Sequence, residues 1–334
     1  MKMKKTIISA FAVLLALTSC SDWVKPEHLE FPAKVEKNLA AVKKYKESDH
    51  NLMFVTMNGA GKLEYSHQHP MNIPDSVDVI VFRLAGALDP AVAKEIKEVW
   101  RTKGTKSYLM VDFAAIETEW KALESAKEDE GKPAGTTEEA VAFFKEKTAL
   151  QLSWFDKYEF RGVVVSFEGN TSGMRGDMQT AFLGTFLDWR AKHINVNYII
   201  RGTLRNIDYE KAEYKTMIVE SEYLTVVTTE GSTSAGEINK QVTRILAYIP
   251  VEQRKVIFEA NVPDMAEKKQ IGASVTVAAD WLLKEKNSIN FKPYGIAVGN
   301  VQDDYYTGAD NVFANVRAGI TLMNPARNGE NTEE

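Results

Sequence analysis

The residues best placed to do chemistry lie in residues 158–170, where a short apolar run leads to Glu168. Alternate residues of a strand point to the same side, so Val164, Ser166 and Glu168 would share one face. Glu168 stands at the end of the run, where a carboxyl group could exchange a proton with a ligand. The two residues before it on that face carry no charge. A carboxylate partner would therefore have to come from another strand.

This stretch resembles the strand-four signature of glycoside hydrolase family 18, the chitinases and endo-β-N-acetylglucosaminidases. The signature reads Phe-Asp-Gly-x-Asp-x-Asp-x-Glu. Its phenylalanine, glycine and glutamate fall on Phe160, Gly162 and Glu168, and its three aspartates fall on Arg161, Val164 and Ser166. Residues 293–297 and 319–326 also resemble a Bacteroides-type branch of the family, and the similarity runs from about residue 51 to residue 326.

The resemblance implies that Glu168 protonates the glycosidic oxygen while the substrate's own N-acetyl oxygen attacks the anomeric carbon. It also implies that the aspartate two residues earlier orients the acetamide and stabilises the positive intermediate. Ser166 brings no negative charge to that position, and Val164 removes the second inward carboxylate. Loss of one preorganised electrostatic partner costs ~10²–10³ in rate. The pattern therefore favours retained binding over retained hydrolysis.

Three functions remain open on this pattern. We expect an inactive or nearly inactive family 18 barrel that binds a glycan containing N-acetylglucosamine. The alternative is an active endo-β-N-acetylglucosaminidase that uses Glu168 as acid, with a carboxylate from another strand in place of the aspartate lost at Ser166. The third is a component of a glycan-uptake complex that has no sugar site.

Polar and aromatic residues near other predicted strand ends could contact a glycan, because barrel enzymes build their sites at the carboxyl ends of the strands. The candidate contacts are Asp112, Thr228, Glu230, Asn261, Gln302, Tyr305 and Tyr306. The candidate replacement carboxylates are Asp112, Glu230, Glu259, Asp303 and Asp304, each of which could instead cap a helix or pair with a Lys or Arg. The tyrosine that the family commonly carries on strand six has no counterpart in residues 226–230.

His67 and His69 could supply two metal ligands, but the other histidines show no ligand spacing with them. We expect neither a metal nor a cofactor.

Eight apolar, β-rich runs recur along the chain, each followed by a helical or polar stretch. They are residues 52–58, 77–84, 107–113, 162–167, 196–201, 224–229, 256–260 and 295–301. Such runs are typical of parallel strands buried on both faces, and their alternation with helices indicates a parallel sheet. Eight units predict an α/β fold of the single-domain (β/α)8 TIM barrel type, with an open doubly wound sheet as the alternative. The polar residues 121–137 predict an extended loop after strand three.

The amino terminus has the pattern of a secretory signal. Basic Lys2, Lys4 and Lys5 precede an apolar run at residues 7–16, which is shorter than the ~20 residues that a bilayer span needs. The Leu-Thr-Ser-Cys ending at Cys20 resembles the lipobox of bacterial lipoproteins, which implies cleavage before Cys20 and lipidation of its thiol. The alternative is a signal peptide that merely ends near a free cysteine.

These features predict four segments and a location. The segments are a signal peptide at 1–19, a lipid-anchored tether and first helix at 20–48, the barrel at 49–326 and a loose tail at 327–334. The protein would be exported and anchored to the outer membrane, at the cell surface. Its expected partners are a glycan, the membrane through Cys20, and glycan-uptake proteins of the outer membrane.

Composition excludes one class of partner. The chain of 334 residues carries a net charge of -5, whereas a nucleic-acid partner requires a basic patch. Cys20 is the single cysteine, so no disulfide can form within the chain and burial of the core must provide the stability.

Overall fold

The eight strands form one closed parallel barrel in chain order, β1 to β8. The computed structural model describes residues 34–167, 172–202, 211–247, 255–307 and 312–325. The strands are β1 (Leu52–Asn58), β2 (Val79–Arg83), β3 (Lys106–Asp112), β4 (Gly162–Phe167), β5 (Asn197–Gly202), β6 (Leu224–Val226), β7 (Lys255–Ala260) and β8 (Lys292–Val298). The pairing of β1 with β8 closes the ring and confirms the predicted (β/α)8 barrel over the open sheet.

One described helix precedes β1, and the others follow strands around the barrel. They are α1 (Lys34–Glu47), α2 (Pro90–Lys103), α3 (Phe113–Asp129), α4 (Thr137–Tyr158), α5 (Gly173–Arg190), α6 (Ala212–Glu220), α7 (Ala235–Leu246), α8 (Val275–Lys284) and α9 (Ala314–Met323). None of the helices in the described ranges is long and apolar enough to cross a membrane.

The chain divides into two compact units. The first is Met1–Ala40, whose described part is the beginning of α1. The second is Ala41–Glu334, which contains all eight strands.

The predicted long loop at 121–137 is wrong, because α3 continues to Asp129. Lysine, glutamate and alanine are good helix formers, so a charged stretch can be an exposed helix as readily as a loop. Lys127 pairs with Glu124 at 2.9 Å within α3. The next helix begins early because Thr136 and Glu139 cap it reciprocally.

The strands are apolar on both faces because both faces are buried. Outward side chains pack under the helices, whereas inward side chains fill the interior of the barrel. The inward layer contains Phe54, Val81, Met110, Val164, Ile199, Ile257 and Ala297. Val164, at a position where the family 18 signature has aspartate, is therefore part of an apolar barrel interior.

Candidate functional site

The centre of the site is Ser166, near the carboxyl end of β4. Strand register places it directly between Asp112 on β3 and Arg201 on β5. Ser166 is 1% exposed, and its Oγ accepts a hydrogen bond of 3.0 Å from Nη1 of Arg201. A guanidinium group therefore lies against the residue that stands at the aspartate position of the signature.

Arg201 also binds Glu259, which lies two strands away on β7. Its Nε and Nη2 donate to the two carboxylate oxygens at 2.7 Å and 2.9 Å, a bidentate geometry. The side chains of the pair are 11% and 6% exposed. Glu259 is consequently engaged by a cation and does not provide a separate negative charge beside Ser166.

Glu259 was among the carboxylates predicted from the sequence, whereas Arg201 was not predicted as part of the site. The available signal was an arginine in an otherwise apolar predicted strand, at a position that alternation places on the inward face. A charged residue there requires a buried partner of opposite sign. Glu259 is one such partner in the structure.

Asp112 is the carboxylate that register places next to Ser166. One of its oxygens accepts from the backbone N–H of Ala114 at 3.1 Å, which caps α3, and the other accepts from Nε of Arg83 at 3.3 Å. Its own backbone N–H donates to Gln151 at 2.9 Å. Asp112 therefore caps a helix and pairs with an arginine while lying at the barrel rim.

Three other predicted glycan contacts hold loops of the rim together. Thr228 Oγ1 accepts from the backbone N–H of Ala273 at 2.8 Å, and Asn261 Nδ2 donates to the Ile271 carbonyl at 3.2 Å. Gln302 exchanges two hydrogen bonds with the Asn58 backbone.

The remaining candidate acids at the rim differ in exposure. Glu230 lies exposed in the turn that follows β6. Asp304 is fully buried and accepts from the backbone N–H groups of Asn315 and Val316, so it caps α9. Asp303 accepts a hydrogen bond of 2.8 Å from Asn300.

Four aromatic rings meet where two rim loops come together, and we call them the aromatic ledge. One loop follows β1 and contains the 3-10 helix Ser66–Gln68, and the other follows β8 and contains the 3-10 helix Val301–Tyr306. Because β1 and β8 are paired, both loops leave the same part of the carboxyl rim. The ledge consists of Tyr65, His67, Tyr305 and Tyr306.

The ledge presents exposed aromatic surface. Tyr65 stacks on His67 with 5.5 Å between ring centroids, and Tyr305 meets Tyr306 at 4.7 Å. Tyr65 and Tyr306 are each 56% exposed. Burial lowers the pKa of His67 and outweighs the opposing charge of Asp303, which favours the neutral form of the ring. Neutral aromatic faces of this kind can stack on sugar rings.

Within the described ranges, no group of three His, Cys, Asp or Glu residues could hold a metal ion. His69 instead lies 2.7 Å from Glu95. Two predicted functional residues, Glu168 and Cys20, lie outside the described residues.

A family model described as glycoside hydrolase family 18, BT1044-like, matches residues 21–322. No curated protein matches the chain.

Solved structures similar to this chain share its fold. A variant of BT1044 is 15% identical with a TM-score of 0.55, over 88% of this chain and 94% of that one. A mutant endo-β-N-acetylglucosaminidase from Cordyceps militaris, in complex with fucosyl-N-acetylglucosamine-Asn, is 15% identical with a TM-score of 0.54, over 86% and 95%. A family 18 chitinase from Pseudoalteromonas aurantia is 13% identical with a TM-score of 0.54, over 81% and 99%.

Proposed function

Because the chain belongs to glycoside hydrolase family 18, BT1044-like, we propose that it binds a glycan containing N-acetylglucosamine at the carboxyl end of its barrel without appreciable hydrolysis. The observation that carries the proposal is the hydrogen bond between Ser166 and Arg201. It places a cation beside the position where the family 18 signature has an aspartate.

Charge explains why this arrangement disfavours hydrolysis. Substrate-assisted cleavage develops positive charge on the sugar and its acetamide, so a carboxylate at that position lowers the barrier. Ser166 offers a hydroxyl instead, and loss of such a preorganised partner costs roughly 3–4 kcal/mol. The Arg201 guanidinium adds no stabilisation to a developing cation, and Glu259 only balances the charge of Arg201.

Binding makes weaker demands on the site than catalysis. A neutral sugar needs hydrogen-bonding groups and an aromatic surface, and the rim offers Asp112, Glu230 and the aromatic ledge. The Cordyceps militaris enzyme, which shares the fold, was solved with fucosyl-N-acetylglucosamine-Asn. That ligand supports N-acetylglucosamine glycans as the class to test first.

The test measures binding and turnover on the same glycans. Purified protein is applied to an array of N-glycans and chitin oligosaccharides, and affinities of the hits are determined by calorimetry. We expect Tyr65→Ala and Tyr306→Ala each to weaken binding about tenfold, because each removes an aromatic face, and an aromatic contact is worth roughly 0.5–1.5 kcal/mol beyond the area that it buries. Ile289→Ala is the control, because Ile289 is 97% exposed in the loop before β8, at the opposite end of the barrel. Release of reducing ends at ordinary enzyme concentrations would overturn the inactive assignment.

The second candidate is an active endo-β-N-acetylglucosaminidase, and one observation favours it. Asp112 is the register neighbour of Ser166, so its carboxylate is the one best placed to replace the missing aspartate. In that case both Glu168→Gln and Asp112→Asn should abolish turnover. In a binding protein, Glu168→Gln should keep most of the affinity.

The third candidate is a protein of a glycan-uptake complex without a sugar site. It would be favoured by an array that gives no hit, together with full function of the aromatic-ledge variants in glycan uptake by cells.

We also propose that Cys20 carries a lipid that anchors the protein at the cell surface. The lipobox-like ending at Cys20 supports this. Metabolic labelling with an alkyne fatty acid should mark the wild type and leave Cys20→Ser unlabelled. Protease digestion of intact cells should remove the protein if it faces outward, whereas full protection would contradict surface exposure.

A further inference from the structure

A cavity of about 590 Å³ opens at the opposite, amino-terminal end of the barrel. We propose that it binds a small amphipathic organic anion, with the apolar body against the floor of the barrel and the acid group at Lys46. This site is separate from the glycan site at the carboxyl rim, so the two proposals can fail independently.

The inner wall of the cavity is apolar and aromatic. It is formed by side chains from the first residues of β1, β2 and β3 and from the loop before β6. These side chains are Leu52, Phe54, Val79, Tyr108 and Tyr223. The rings of Phe54 and Tyr223 meet edge to face at 5.8 Å. A volume of this size accommodates a ligand of drug-like dimensions.

Lys46 provides the positive charge at the mouth. Its Nζ donates to the Val77 carbonyl at 2.7 Å and to Thr105 Oγ1 at 2.5 Å. Both acceptors are neutral, and no carboxylate of the described residues lies within ion-pair distance of Nζ. An ammonium group has three N–H donors, so one remains for an anion.

Two of the three carboxylates that line the cavity, Asp78 and Glu222, are already engaged. Asp78 accepts from the backbone N–H of Met53 at 2.8 Å and lies 2.9 Å from His50 Nε2. Glu222 accepts from the Tyr108 hydroxyl at 2.8 Å. These contacts leave Lys46 and the neighbouring cations as the groups that can attract a ligand. The other cations that line the cavity are Lys43, Arg101 and Lys106, and Glu47 is the remaining acid.

Burial lowers the pKa of Lys46 to about 8, well below that of an ordinary lysine. Asp78 and Asp75 oppose this effect, whereas Lys103 adds to it. Lys46 therefore loses its charge in a pH range where exposed lysines, with a pKa near about 10.4, remain charged. This property provides a test that is specific to Lys46.

The experiment compares two fluorescent probes of similar shape on the full chain. 8-Anilinonaphthalene-1-sulfonate carries an anionic group, and N-phenyl-1-naphthylamine lacks it. We expect the sulfonate to bind with one-to-one stoichiometry and to bind about tenfold more tightly than the neutral probe, because a hydrogen bond to a charged group is worth more than a neutral one.

Lys46→Met should abolish the preference for the sulfonate while keeping the apolar contacts. The Val77 carbonyl retains a hydrogen bond of 3.0 Å from Thr105, so the variant should fold, and circular dichroism checks this. Lys44→Met is the matched control, since Lys44 lies on the same helix and is exposed outside the cavity. Equal sulfonate affinity of the two variants would overturn the proposal.

A pH series completes the test. Affinity of the wild type for the sulfonate should fall between about pH 7 and about pH 9, and affinity for the neutral probe should not. The slope should disappear in Lys46→Met. A slope that persists in this variant would assign the titration to another group near Asp78, such as His50, and would overturn the role of Lys46.

Discussion

At the scale of residues, the site is defined by what Arg201 binds. Its guanidinium connects Ser166 on β4 to Glu259 on β7 through fixed hydrogen bonds. An aspartate at position 166 would compete with Glu259 for the same cation. The loss of the acidic motif and the presence of the arginine are therefore parts of one arrangement, in which Arg201 and its bidentate partner Glu259 lie beside the position of the lost aspartate.

Replacing Glu259 tests how much these hydrogen bonds contribute to the free energy of unfolding. Glu259→Ala should lower the free energy of unfolding by ~3–5 kcal/mol, because it removes a bidentate carboxylate from a buried guanidinium. Replacing both residues, as in Arg201→Met with Glu259→Leu, should recover most of the loss. Urea unfolding measures both effects.

The control for this prediction is Glu237→Ala, which breaks an exposed ion pair with Lys240 and should cost less than about 1 kcal/mol. Equal losses for Glu259→Ala and Glu237→Ala would contradict a structural role for the buried pair.

His50 gives a pH dependence of stability. Burial lowers its pKa, but the hydrogen bond and charge of Asp78 outweigh burial, so the pKa lies above the ordinary value. A raised pKa in the folded state adds stability that is fully present below the unfolded pKa and is lost as pH rises through the folded value.

The free energy of unfolding should therefore fall as the pH rises above about 6.5, the ordinary pKa of histidine in an unfolded chain. The measurement is a series of chemical denaturation curves across this range. His50→Gln should flatten the dependence. An unchanged slope in this variant would assign the effect to another group.

At the scale of elements, apolar patterning predicted the strands well, and β1 and β4 have the predicted bounds. Buried strands are easy to predict from the sequence, because both of their faces must be apolar. The charged end of α3 was predicted as a loop, since polarity alone does not separate an exposed helix from a loop. The pairing of Arg201 with Glu259 could not be predicted either, because the two residues are 58 residues apart and only the closed barrel brings them together.

Packing between β3 and β4 explains the glycine of the strand-four motif. A Cβ on Gly162 would lie 2.5 Å from the ring of Tyr108 on the adjacent strand. Gly162→Ala should therefore destabilise the protein by ~1–3 kcal/mol through overpacking.

Gly184→Ala is the control, because nothing lies within 4 Å of the added atom in α5 and alanine is the better helix former. Thermal and urea unfolding of both variants should show opposite signs. A stable Gly162→Ala variant would mean that Tyr108 can move aside at little cost.

At the scale of the whole molecule, closure of the barrel joins parts of the chain that are far apart in sequence. The register of β1 with β8 pairs Leu52 with Gly295. Beside this seam, Asn324 at the end of α9 exchanges two hydrogen bonds with the Asn51 backbone, at 2.8 Å and 2.9 Å. These hydrogen bonds join the end of the last helix to the residue that precedes the first strand.

Asn324→Ala should consequently weaken the whole barrel rather than fray its end. Loss of the two hydrogen bonds should lower the free energy of unfolding by about 1–3 kcal/mol. Tryptophan fluorescence and circular dichroism should still report one coincident transition, with a lower urea midpoint and an unchanged slope. Asn290→Ala, at an exposed position before β8, should leave the midpoint unchanged. Separate transitions for the two probes in Asn324→Ala would show instead that α9 detaches while the remaining strands stay folded.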